Sequence, residues 1–329
     1  MRFLQLLPFS VLLLAPAIAC CQTTDNSASY ESITHQAMIL YNQRDYAAAA
    51  ALLRNGLDRA TRDNKPRWQA VMLGLLGPVL EQAGKYPEAE DALYRSINDW
   101  TMIAGPDTFT LVAPLQNLGE LYSRASQPSR AEKLLTRALS IEGRSGRDPD
   151  LETRLLTNLG NAYFEEHRDD LAEQTANAAL ENISRMKQPS ADSTAVYSLL
   201  GAVCFRSGRL AEAESWLRRS LSLRESLLPS DDPRIADSLA NLAALYSHSD
   251  QPEKARPMFE RASRIFETAG GDDRFIRNFY SNYADFERKT GHKKEARQLS
   301  RRVDKLWTTS SATALSTRIV DVSAFRNAK

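Results

Sequence analysis

A chain of 329 residues, 43% hydrophobic and 25% charged, can bury a large core. Its formal net charge of +1 gives no bulk electrostatic case for nucleic acid. Three cysteines, two of them adjacent, do not make a disulfide framework.

Residues 1–19 read as a signal peptide. Met1-Arg2 supplies a short positive start, the stretch 3–15 is apolar, and Ala17-Ile18-Ala19 offers small residues for cleavage. The run is too short, and too interrupted by Pro8 and Pro16, to span a membrane. Export from the cytoplasm is expected. Cys20 follows at once, and Ala17-Ile18-Ala19-Cys20 resembles a bacterial lipoprotein signal, whose cysteine becomes lipid-modified. It departs from that pattern in carrying Ala17 where leucine is common. Ordinary cleavage after Ala19 is the other reading. Residues 20–29 are polar and small and read as a tether.

Residues 30–307 are organised by one recurring unit. In its sixth copy, Ala243 and Tyr246 are three apart on one helical face, and Ala255, Phe259 and Ala262 line one face of a second helix. Ser249-Asp250-Gln251-Pro252 between them is turn chemistry ending in a first-turn proline. The unit is therefore an antiparallel helix pair. Its small first-helix residue recurs as Ala37, Gly77, Gly119, Gly160, Gly201, Ala243 and Ala284, a step of about 41. Twelve residues after each stands Ala49, Ala89, Ala131, Ala172, Ala213, Ala255 or Ala296. Alanine or glycine where two helices cross lets their backbones approach. Three residues after the small one, Cys204 and Glu287 stand where Tyr122, Tyr163 and Tyr246 set the pattern. Cys204 is expected as a small core residue. Pro78 sits inside a first helix and predicts a kink. Pro114 raises the same concern nearer a helix start.

Seven copies in register resemble the tetratricopeptide repeat (TPR). The step exceeds the usual ~34 residues. Gly105-Pro106-Asp107, Ser230-Asp231-Asp232-Pro233 and similar stretches lie between copies, as in the kinesin-light-chain-like variety. The resemblance covers about residues 31–307. It implies an all-α fold, a TPR-like α-solenoid of about seven antiparallel helix pairs wound as a right-handed superhelix. First helices would line its concave face. Residues 308–329 read as an extended or disordered C-terminal tail. Arg318–Phe325 would lie against the last pair, where Leu299, Val303 and Trp307 lack a following copy.

No chemistry-bearing motif stands out. Ser184–Lys187 and Lys289-Thr290-Gly291 share a pattern with penicillin-binding enzymes, but the second belongs on a strand and here falls at a helical turn. His35, His167, His248 and His292 are each alone, without metal-site spacing. No phosphate loop or cofactor motif appears. No catalytic residue is assigned. The better constellation is Asn117, Asn158, Asn241 and Asn282, each two residues before the small residue of its copy. An amide both donates and accepts, so a row of them suits an extended peptide. In related repeats, side chains there face the groove. Arg154 and Asn161 lie beside Asn158, Asn278 beside Asn282, and Arg124 and Arg206 lie a turn and a half beyond in their copies. Alternatively, the amides bond to the neighbouring repeat.

The expected function is a non-catalytic protein–protein interaction scaffold of the bacterial cell envelope, in the periplasm or anchored through Cys20. Its partner is an extended peptide or protein, not nucleic acid. A self-assembling structural subunit and a regulatory arm of an enzyme complex are the alternatives.

Overall fold

The computed structural model describes residues 27–146, 148–186, 189–269 and 273–310. The stretch read as a signal peptide, Cys20 and most of the stretch read as tail lie outside them. Among the described residues there are fourteen α-helices, one 3₁₀ turn at Phe109–Leu111 and no strand. The helices are α1 Ser27–Asn42, α2 Tyr46–Arg62, α3 Pro66–Gln82, α4 Tyr86–Ala104, α5 Val112–Arg124, α6 Pro128–Ser145, α7 Pro149–Glu165, α8 Asp169–Arg185, α9 Ala191–Arg206, α10 Leu210–Leu227, α11 Pro233–His248, α12 Pro252–Ala269, α13 Asp273–Lys289 and α14 Lys293–Ser310. They form seven pairs, the fold class being a TPR-like α-solenoid. Helix α1 takes in the last three residues of the stretch read as tether, and α14 runs three residues into the stretch read as tail.

The chain divides into two compact units at Asp148/Pro149. Unit 1 holds α1–α6, pairs one to three. Unit 2 holds α7–α14, pairs four to seven. Most helices pack most heavily on their pair partners; α2 packs more heavily on α3 than on α1. The small residues mark these crossings, and all fourteen are buried. The close approach is real: a Cβ built on Gly119 would lie 2.8 Å from Leu135 Cγ, and one on Gly201 2.6 Å from Leu217 Cδ2. Those leucines stand sixteen residues after the glycine, the place Phe259 holds in the sixth copy.

The turn inside every pair has one geometry. Seven residues after the small residue, Arg44, Gly84, Ser126, His167, Gly208, Asp250 and Gly291 all adopt positive φ, between 56° and 90°. The next backbone N–H then donates back five residues, as from Gln127 to Tyr122 O and from Arg209 to Cys204 O, both at 2.8 Å. This is the left-handed helix stop that satisfies otherwise orphaned carbonyls. Glycine accommodates it without cost, and the four other residues do so under strain.

Pro78 does not break α3, which runs unbroken to Gln82 with the proline buried. Pro114 falls in the first turn of α5, where its missing N–H has no helical acceptor to lose. Leu299 and Val303 turn inward and pack on the unit 2 core, so the core itself covers part of their surface.

Stacking between copies uses a polar contact as well as apolar burial. Thirteen residues after the small residue stand Glu90, Glu132, Glu173 and Glu214, then Arg256. Glu90, Glu173, Glu214 and Arg256 reach the next copy. Tyr122 donates to Glu90 Oε1 at 2.7 Å, and Tyr246 to Glu214 Oε1 at 2.8 Å. That hydrogen bond holds the Glu214 carboxyl below its usual range. Where Cys204 replaces the tyrosine, Arg209 takes Glu173 with two hydrogen bonds, at 2.9 and 2.8 Å. At the last junction both partners change together: Arg256 Nη1 donates to Glu287 Oε1 at 2.6 Å. Glu287 is 2% exposed, and besides Arg256 it has His292 Nδ1 at 3.1 Å from its other carboxylate oxygen.

Candidate functional site

The first helices of unit 2 form a layer, with α7 on α9, α9 on α11 and α11 on α13. Packing of the second helices behind them fixes which residues they show. Asn158 and Asn241 are half-buried at the same register, and Asn282 is exposed. Leu199 occupies that register in α9 and is buried, so the row of amides is interrupted there. Asn161 and Asn278 are exposed, while Ala202 and Ala244, which match Asn161 in register, are half-buried. Small side chains between amides leave the helix surface accessible to another backbone.

Not every residue of the expected groove belongs to this face. Asn117, in α5 of unit 1, is 3% exposed and is withdrawn from solvent. Arg154 donates to Asp192 Oδ2 at 3.1 Å and braces α7 against α9. Arg124 bridges to the buried Glu81 at 3.2 Å. Arg206 Nε donates to Asp169 Oδ2 at 2.8 Å, and its guanidinium lies 3.5 Å from the Phe164 ring centroid. The three arginines are inter-repeat braces, so the face is carried by neutral amides.

The remaining residues singled out from sequence have structural surroundings. Cys204 is buried, and burial pushes its thiol up. All four histidines are exposed. His167 forms one of the left-handed turns, and the His248 ring meets Phe205 edge-on at 5.0 Å. Lys289 ends a helix and pairs with Asp250 at 3.2 Å. Among the described residues no cluster of His, Cys, Asp and Glu could hold a metal ion. No described helix is long and apolar enough to cross a membrane.

Sequence reasoning missed the cleft at the last junction, about 470 Å³, lined by Arg256, Phe286, Lys289, Thr290 and His292 among others. Arg256 Nη2 contacts Thr290 Oγ1 at 3.2 Å and His292 Nδ1 at 3.1 Å. The signal that could have found it is the joint departure of Arg256 and Glu287 from their columns of equivalent residues.

The tetratricopeptide repeat family model matches residues 68–142 and 192–268, and these stretches carry such repeats. No curated protein matches the chain. The fold is similar to that of the apo form of RapI, with TM-score 0.67 at 15% identity, covering 85% of this chain and 99% of that one. It is similar to the Rap conjugation gene regulator of the plasmid pLS20 in complex with the Phr* peptide (TM-score 0.61, 16% identity, 76% and 67% covered). BtubC (BKLC) from P. vanneervenii gives TM-score 0.55 at 20% identity, with 70% and 94% covered.

Proposed function

We propose that this protein is a non-catalytic interaction scaffold whose unit 2 first-helix face binds an extended peptide or a peptide-like segment of a protein. The observation that carries this reading is the pair Asn158 and Asn241. They are half-exposed at one register of a continuous helix layer, with Asn161 and Ala244 three residues further along their helices. Amides at such a spacing can hold backbone N–H and C=O groups of a chain lying across the helices. The regulator of plasmid pLS20, of similar fold, is in complex with a peptide. The step of about 41 residues supports the kinesin-light-chain-like variety of repeat.

The place of action is the cell envelope, by way of the residues 1–19 signal, with Cys20 as a lipid anchor. Mass spectrometry of the mature amino terminus decides the anchor: an unmodified Cys20 in the native host refutes it.

A peptide selected from a random library against the full chain tests the binding face. Each neutral amide bond lost should weaken that peptide by about 0.5–1.5 kcal/mol, a factor of about 2 to 12. Unchanged affinity in the folded Asn158→Ala, Asn241→Ala double variant assigns the amides to structure and ends this reading of the face.

A further inference from the structure

The outward surface of α14 is the one on which an eighth helix pair would stack. In the preceding copy, α12 faces α13 through Arg256 and Phe259, the latter stacked on Tyr283 at 4.7 Å. Forty-one residues later those positions are Arg297 and Ser300. Copies one to six place Leu53, Leu93, Leu135, Ala176, Leu217 or Phe259 at the second of them. Serine there removes the apolar contact that joins one copy to the next. Cations replace it around the edge: Lys293, Lys294 and Arg301 stand where α12 has Pro252, Glu253 and Glu260.

Lys293, Lys294, Arg297 and Arg301 are all exposed, and none has an acidic partner among the described residues. They contrast with Arg302 on the same helix, which pairs with Glu267 at 2.7 Å. Lys294, Arg297 and Arg301 share the side opposite Ala296 and Val303, within about two turns, or roughly 10 Å. A polar end on a solenoid keeps it soluble; here exposed Asp304 shares the side, and Lys294, Arg297 and Arg301 against it leave a net +2 (3 − 1) that selects a partner.

The last junction shows what complements an arginine at this register. Arg256 receives a carboxylate, Glu287, from the helix packed against it. Arg297 is the next arginine in that series. The chain's own residues 311–329 contain Arg318, Arg326 and Lys329 against Asp321, a net +2 (3 − 1), and so do not complement it. A second copy stacked in register would bring Leu40, the counterpart of Glu287 in α1. We propose that this surface is a second docking site, for an amphipathic helix of a partner protein that carries carboxylates where α13 carries Glu287. It is separate from the first-helix face and stands or falls without it.

The test uses the full chain and a fluorescent peptide of the α13 sequence Asp273–Lys289. That peptide carries Arg274→Glu, Arg277→Glu, Arg288→Glu and Lys289→Glu, and retains Glu287. Saturable, salt-sensitive binding is expected. It should weaken about tenfold or more with Arg297→Glu plus Arg301→Glu, since reversing charges at a docking patch opposes the ligand. It should stay within about twofold with Lys133→Glu, an exposed cation of unit 1. The same peptide with Glu287→Lys should bind weakly. Should the double variant not fold, Lys294→Glu alone carries the measurement, with a smaller loss. Binding that ignores the α14 reversals, or falls equally with Lys133→Glu, overturns the proposal. So does equal competition by anionic phosphatidylglycerol vesicles or by single-stranded DNA, because the surface would then be a general polyanion patch.

Discussion

Reversing Arg256 tests whether the contact between copies is one exchangeable module. Arg256→Glu would place a second carboxylate against Glu287, which is 2% exposed and would lose its 2.6 Å partner. Breaking a buried pair by removing one member costs about 3–5 kcal/mol. The lower end applies here, because the Arg256 side chain is 33% exposed. Glu287→Tyr alone should be milder, about 1–2 kcal/mol, because it removes the buried charge and leaves a hydroxyl that Arg256 can reach. Arg218 Nη2 already donates to Tyr246 OH in this way at 2.9 Å. The double variant Arg256→Glu, Glu287→Tyr rebuilds the contact seen at Glu90–Tyr122 and Glu214–Tyr246. A hydrogen bond to a charged group contributes about 1.5–3 kcal/mol. The double variant should therefore be more stable than Arg256→Glu alone, with a coupling of about 2 kcal/mol. Repeat arrays can open from one end, so the readout is hydrogen exchange of α13 and α14 amides rather than one melting curve. Additive single effects, or an Arg256→Glu cost below about 0.5 kcal/mol, would refute the modular contact.

Three further outcomes follow from the geometry. Gly119→Ala should destabilise unit 1 by about 1–3 kcal/mol through overpacking on Leu135, and adding Leu135→Ala should return part of it in denaturant melts. Ser126→Gly and Asp250→Gly should each raise stability by about 1 kcal/mol by relieving left-handed strain, while Gly84→Ala should lower it by about as much; thermal melts decide both signs. Burial pushes Tyr30 and Tyr283 up to about 12 and raises Tyr41 and Tyr122 further. Folded pKa values above the unfolded ~10 mean this stability is full below pH ~10 and is lost as pH rises through the folded values. Alkaline titration at 295 nm should show these tyrosines ionising late, together with loss of helix. Early, non-cooperative ionisation of all tyrosines would contradict their burial.

The helix pairs were legible because small residues at a crossing repeat for a steric reason that local sequence states directly. Gly119 and Gly201 sit where a Cβ would collide with a leucine of the paired helix, so the register survives even where neighbours vary. The turns were half legible. Gly84 and Gly208 announce positive φ, but Arg44 and His167 adopt it only because tertiary packing fixes both flanking helices. The stacking contact was illegible in any one copy. Glu287 departs from a tyrosine pattern and Arg256 from a glutamate pattern, and each alone resembles drift. Only when the two columns of equivalent residues are set side by side does the exchange become a charge swap across a junction. The candidate face shows the same limit. Asn117, Asn158, Asn241 and Asn282 share one register, yet Asn117 is buried, Asn158 and Asn241 are half-buried, and Asn282 is exposed. Exposure at a repeated register depends on how neighbouring helices pack over it, and that is decided by residues in other copies.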